Sequence, residues 1–253
     1  MYDMQIMNNP IIERLYKYIK PFDPEWLNNL KPGDEKDIAL LKEYYELNTG
    51  KCRLPNSFIE FSIFAGEGDG GLLSSVLKGT FSVRNLAGKI KNQDMNFLEN
   101  IESYKFPFLT DEMGMDYLIE LTNDSKIYYE DTCYISSSFE KLLFQCIVRK
   151  YKELFFEKNI YFGSSIKSFR ETEKRRRGNS LRTITQELIE EFDLRPVWFN
   201  DEYFFYAYGK TASILLLKRS SVSGVVMGDN ALQMECIVKN ILPIIGAQRQ
   251  KFI

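Results

Sequence analysis

Two groups of carboxylates carry the residue types and spacing most suited to chemistry in this 253-residue chain. Asp111, Glu112 and Asp116 surround Gly114, and Glu130 and Asp131 follow one expected strand later. Glu67 and Asp69 interleave with glycines in Gly66-Glu67-Gly68-Asp69-Gly70-Gly71. Carboxylates gathered at one end of a sheet can hold Mg²⁺ or Ca²⁺, act as an acid and base, or form an acidic protein-binding face. The spacing does not follow the calcium-loop pattern, which needs acidic or Asn residues at alternate positions before a Gly. A solvated loop, a partner-binding face and a metal or catalytic site are the three readings. The partner-binding face is the one carried forward.

The glycine run imitates a phosphate cradle. Phosphate loops lead from a strand into a helix N-terminus. This run is expected to leave a helix and enter a strand, and Glu67 and Asp69 repel phosphate, so a helix stop and turn is the expectation. The densest basic run, Lys174-Arg175-Arg176-Arg177, is flanked by Lys167, Arg170 and Arg182 and diluted by Glu171 and Glu173. It reads as a solvated linker or helix end, as a dock for an acidic surface, or as a nucleic-acid contact through phosphate neutralisation. The aromatic run Tyr203-Phe204-Phe205-Tyr206-Ala207-Tyr208 reads as a buried sheet face, with base stacking as the sharper alternative.

Histidine is absent. That removes the commonest general base, the Ser-His and Cys-His nucleophile pairs and the usual zinc ligand. Carboxylate, Lys or Tyr chemistry stays open, and a carboxylate-based hydrolase is the third functional class. Cys52, Cys133, Cys146 and Cys236 form no CxxC pair and read as buried, reduced thiols. Met1-Tyr2-Asp3-Met4-Gln5-Ile6 lacks the basic region and apolar run of a leader, and no run reaches the ~20 apolar residues of a membrane span. A cytoplasmic protein without a cofactor is the expectation.

Hydrophobic residues make up 44% of the chain, with Phe 19 and Tyr 15, ample for a core. The net charge of −2 hides an asymmetry. Residues 1–157 hold 18 Lys/Arg against 25 Asp/Glu, a balance of −7. Residues 158–253 hold 15 against 10, a balance of +5. Two domains with different surfaces, 1–157 and 158–253, follow from this.

Apolar periodicity places helices at Pro10 to Lys20 and Asp34 to Asn48. Pro55 suits the first turn of a third, with Ser57 and Glu60 as an alternative capping box; Phe58, Ile59, Phe61, Ile63 and Phe64 make it apolar. Leu72–Leu77 and Thr80–Val83 read as strands, Asn85 to Lys105 is ambiguous, and Met95–Ile101 reads as helical. Tyr117–Leu121 and Lys126–Tyr129 flank a polar turn as a hairpin. A long helix follows, capped by Ser137 and Glu140 and running to about Glu157.

The order helix, strand, closing helix, with Leu54-Pro55 opening an aromatic helix into a Gly-rich turn, resembles the SUKH superfamily. The matching pieces are Leu54-Pro55 to Gly71, Phe108 to Leu121 with Gly114, Ile127 to Asp131, and Ser138-Phe139-Glu140-Lys141-Leu142-Leu143. They cover about residues 34–150. The superfamily includes fungal cell-wall-synthesis regulators and many bacterial immunity proteins that cap a cognate toxin, often a nuclease. The resemblance implies a binding module and not a catalyst. Leu54, Pro55, Gly66, Gly114 and Phe139 are then scaffold, and the partner surface lies elsewhere.

Beyond this region, Leu181, Ile184, Leu188, Ile189 and Phe192 repeat at helical spacing. Strands are expected at Arg195–Phe199, Tyr203–Tyr208, Ala212–Leu217 and Val222–Met227, with turns at Asn200-Asp201 and Gly209-Lys210. A last helix starts near Asn230 and is kinked or ended by Pro243. The expected fold class is α+β: an antiparallel sheet flanked by helices, then a second small α+β unit. The expected function is toxin neutralisation through Glu67, Asp69, Asp111, Glu112, Asp116, Glu130 and Asp131. Nucleic-acid regulation through the basic 167–182 segment is the alternative.

Overall fold

Phe139 sits where three parts of the chain meet. In the computed structural model its ring lies 5.3 Å from that of Phe58, 6.1 Å from Phe61 and 5.4 Å from Phe108. Phe58 in turn meets Phe81 and Phe106 edge-on, and Tyr45 packs on Phe106 at 4.8 Å. Edge-to-face packing suits the ring quadrupoles and adds about 0.5–1.5 kcal/mol per pair beyond area burial. The structure describes residues 9–49, 53–94, 104–121, 125–130, 133–154, 156–164, 181–218 and 221–249.

The chain is α+β and divides into two compact units, Met1–Lys150 and Tyr151–Ile253. The first unit opens with α1 (Pro10–Ile19), whose cap Asn9 accepts from the Ile11 and Ile12 N–H groups. α2 (Glu35–Thr49) carries its acidic residues at the positive helix end, as expected. α3 (Asn56–Ala65) begins directly after Pro55, not at the Ser57 box. A five-stranded antiparallel sheet has the order β3 (Gly79–Thr80), β4 (Lys105–Asp111), β5 (Asp116–Glu120), β6 (Ile127–Tyr129), β7 (Cys133–Ser136). A separate pair, β1 (Leu30–Lys31) and β2 (Gly68–Asp69), holds the glycine run against the loop before α2.

Gly66 is needed for space, not for positive φ, since its φ is −66. A Cβ there would lie 2.4 Å from the Ser62 carbonyl and 2.7 Å from Gly33 Cα. Gly70 and Gly71 do take positive φ, at 60 and 73. A Cβ on Gly70 would also meet Trp26 Nε1 at 2.5 Å.

Three local expectations fail, each for a capping reason. Leu73–Leu77 is a short helix, α4, and not a strand, because the Asp69 carboxylate accepts the Leu73 and Ser74 N–H groups at 2.6 and 2.8 Å. The strand expected at Thr80–Val83 stops at Thr80, because Ser82 caps α5 (Val83–Lys91) by accepting from the Asn85 N–H. The closing helix α6 (Phe139–Tyr151) is capped by Ser138, whose Oγ accepts the Lys141 N–H, and gives way at Lys152–Leu154 to a 3₁₀ turn before reaching Glu157. Residues 95–101 and Cys52 lie outside the described residues. Of the other thiols expected to be buried, only Cys146 is; Cys133 is half-buried and Cys236 exposed.

The second unit is a six-stranded antiparallel sheet in the order β13 (Ala247–Arg249), β8 (Lys158–Ser164), β12 (Val222–Gly228), β11 (Ala212–Lys218), β10 (Phe204–Tyr208), β9 (Arg195–Pro196). Helices α7 (Leu181–Phe192) and α8 (Ala231–Ile245) pack on one face through Leu188, Met234, Ile237, Val238, Ile241 and Ile245. Asn230 caps α8 as expected, and Pro243 is accommodated inside its last turn without ending it. Phe204, Phe205, Tyr206 and Ala207 are all buried, so the aromatic run is a strand apolar on both faces. The expected strand Arg195–Phe199 is only two residues long, and β8 and β13 had not been expected.

Candidate functional site: an acidic hairpin turn

The β4–β5 connection is a hairpin turn closed by Asp111, whose N–H donates to the Met115 carbonyl and whose own carbonyl accepts the Gly114 N–H. Gly114 takes φ 82, a conformation that favours glycine. Asp111 then uses its carboxylate to hold the turn. Oδ1 accepts the Met113 and Met115 N–H groups, both at 2.9 Å, and Oδ2 accepts the Tyr129 hydroxyl at 2.8 Å. These donors, with Met115 foremost, hold the Asp111 carboxyl below the usual carboxylate range. The same contact acts in reverse on Tyr129, whose phenol is pushed up to about 12 by its hydrogen bond to Asp111. Tyr117, in register with Tyr129 across β5–β6, supports it with ring centroids 4.8 Å apart.

Register brings a second set of acids to the same end of the sheet. Thr110 pairs with Asp116, and its hydroxyl donates to Asp116 Oδ1 at 2.6 Å. The Glu130 N–H donates to the Asp116 carbonyl at 2.9 Å, placing Glu130 beside Asp116. The Glu112 N–H donates to the Lys78 carbonyl, and Glu112 is exposed. Met113, at the apex, is 79% exposed. Asp111, Glu112, Asp116 and Glu130 therefore lie at one end of the sheet, about a turn fixed by hydrogen bonds. A cation borders it: Lys89 Nζ donates to the Thr110 hydroxyl at 3.5 Å.

Glu67 and Asp69 are placed differently. Asp69 is 4% exposed, and besides the Leu73 and Ser74 N–H groups it accepts from the Gly71 N–H and the Ser74 hydroxyl, both at 2.9 Å. Glu67 accepts from the Ser82 hydroxyl at 3.0 Å and the Arg84 N–H at 2.8 Å, at the start of α5. Both carboxylates are occupied with the fold. The glycine run does lead into a helix, contrary to expectation, but Asp69 already fills the amides that a phosphate would need. Beside it, Lys150 donates to the Gly70 carbonyl at 2.9 Å, and Trp26 Nε1 donates to the Asp69 carbonyl. Burial holds the Lys150 ammonium below its usual pKa.

Asp131 and the run Lys174, Arg175, Arg176, Arg177 lie outside the described residues. Among the described residues no three His, Cys, Asp or Glu side chains are grouped to hold a metal ion. No described helix is long and apolar enough to cross a membrane. Sequence reasoning missed Tyr129, the residue that ties the turn to the neighbouring strand. The signal was available in the hairpin pairing, which sets Tyr129 opposite Tyr117. Comparison of the chain with protein-family models, with curated proteins and with solved structures returns no match.

Proposed function

We propose that this chain is a non-catalytic protein-binding module of SUKH type that acts as an immunity protein, binding and occluding a cognate toxin. The observation that carries this reading is the Asp111 turn, a fixed feature that presents Glu112 and Met113 to solvent beside Asp116 and Glu130. A turn already ordered before encounter loses little conformational entropy on binding. A negative potential steers a basic partner, such as a nuclease face, toward it. The resemblance to the SUKH superfamily supports the reading further. Phe139, one of the positions that resemblance makes scaffold, packs in the core against Phe58 and Phe108, which lie within the other matching pieces.

The test is binding to toxin domains encoded beside this chain's gene. Reversing Glu112, Asp116 and Glu130 together to Lys should weaken capture by about a hundredfold and flatten its salt dependence. Unchanged affinity with an unchanged salt slope overturns the acidic-face reading. Retention of nucleic acid by the purified chain, falling steeply as salt rises, shifts the weight to the basic 167–182 segment.

A further inference from the structure

The second unit contains a cleft of about 660 Å³ between α7 and the β9–β10 corner. That size falls in the range of small-molecule sites, roughly 300–1,000 Å³. Its apolar lining comes from Ile189 on α7, Pro196 and Val197 at the sheet edge, and Phe205 on β10. Phe205 is 6% exposed and is also part of the unit's core, so this wall is rigid.

The polar lining is fixed by the backbone. Asn200 donates its amide to the Tyr206 carbonyl at 2.9 Å and accepts the Tyr206 N–H at 2.8 Å, taking the place of a strand partner. Asp201 Oδ1 accepts the Tyr203 and Phe204 N–H groups, both at 2.9 Å. Glu202 follows on the same corner and is exposed, and Lys218 is the other charged residue of the described lining. Among the described residues the cleft thus sets the Asp201 and Glu202 carboxylates and the Lys218 ammonium over an apolar wall.

We propose that this cleft binds a small organic cation with a flat apolar body, of the arylamidine class. The apolar body would lie against Phe205, Ile189 and Pro196, with its charged end at the Asp201–Glu202 corner, where a charge-assisted hydrogen bond is strongest. The inference is independent of the toxin-binding reading, since it concerns the other unit and a different chemistry.

A charge series on one molecular shape tests it. Benzamidine, benzamide and benzoate would be titrated into the full chain by calorimetry, with Trp198, beside Val197 and 46% exposed, as a fluorescence reporter. Benzamidine should saturate near about 1 mM, and the neutral and anionic analogues should bind at least about tenfold more weakly. The double variant Asp201→Asn, Glu202→Gln keeps the acceptor for the Tyr203 and Phe204 N–H groups, and so the fold. It should lose about tenfold in benzamidine affinity. Absence of saturable benzamidine binding, equal binding of benzoate or benzamide, or an unchanged affinity in the double variant overturns the proposal.

Discussion

The Tyr129 hydroxyl donates to Asp111 Oδ2 at 2.8 Å, joining β6 across β5 to the end of β4, two strands away along the sheet. The two groups move each other's proton affinity in opposite directions. Asp111 binds its proton less readily in the folded chain, so its stabilising contribution is full above the ordinary carboxylate pKa and is lost as pH falls through the lowered one. Tyr129, held at about 12, contributes fully below the ordinary phenol value of about 10, and that contribution is lost as pH rises from there through 12. In Tyr129→Phe the Asp111 pKa should rise only part of the way, because the Met115 N–H remains its first partner. Carboxyl ¹³C shifts against pH read this directly, and a complete return to the ordinary value would contradict the geometry.

Asp69→Ala should be among the costliest single changes in the first unit. It strands the Gly71, Leu73 and Ser74 N–H groups that the carboxylate now satisfies. A loss of about 2–4 kcal/mol is expected. Denaturant unfolding followed by Trp26 emission in a Trp198→Phe background measures it, since Trp26 Nε1 binds the Asp69 carbonyl. Asp69→Asn, which keeps one acceptor, should cost less.

Two glycines of the same unit should respond with opposite sign. Gly66→Ala drives a Cβ into the Ser62 carbonyl and Gly33 Cα, both backbone, and should cost about 1–3 kcal/mol. Gly88, inside α5, has nothing within 4 Å of a new Cβ, so Gly88→Ala should add about 0.5–1 kcal/mol through helix propensity and a less flexible unfolded chain. Thermal melts of the two variants give the comparison.

Phe139→Ala removes a ring shared by Phe58, Phe61 and Phe108, and should cost about 3–5 kcal/mol. Phe139→Leu should cost less, because it keeps much of the buried volume. Near-ultraviolet circular dichroism would show the loss of aromatic packing alongside the denaturation midpoint.

The long periodic elements were legible in the sequence. α1, α2, α7 and the meander of β10, β11 and β12 lie close to where their apolar spacing puts them, because burial of one face sets both their pattern and their place. The misreadings concentrate between Gly66 and Lys91. There, short segments of five to nine residues are decided by which carboxylate or hydroxyl reaches the first free N–H groups. Asp69 lies four residues before Leu73 in sequence and Glu67 far before Arg84, so neither contact shows as a local capping pattern. The acidic turn was half legible: charge and Gly114 marked it, but the closure by Tyr129 depends on strand pairing. Glu67 and Asp69 looked like surface charge for the same reason, since acidic residues among glycines give no sign of the amides they will meet.

In the second unit, β8 pairs with β12 on one side and β13 on the other, matching Lys158 with Gly228 and Phe162 with Arg249. Neither neighbour is local, whereas β10, β11 and β12 follow one another as hairpins. The meander can form early from nearby contacts, while β8 must wait for loop closure over most of the unit. Until then β12 presents an open edge of seven residues, four of them apolar and buried in the finished fold: Val222, Val225, Val226 and Met227. Refolding should therefore show a slow phase in which this edge is available to other chains, and its yield should fall as protein concentration rises.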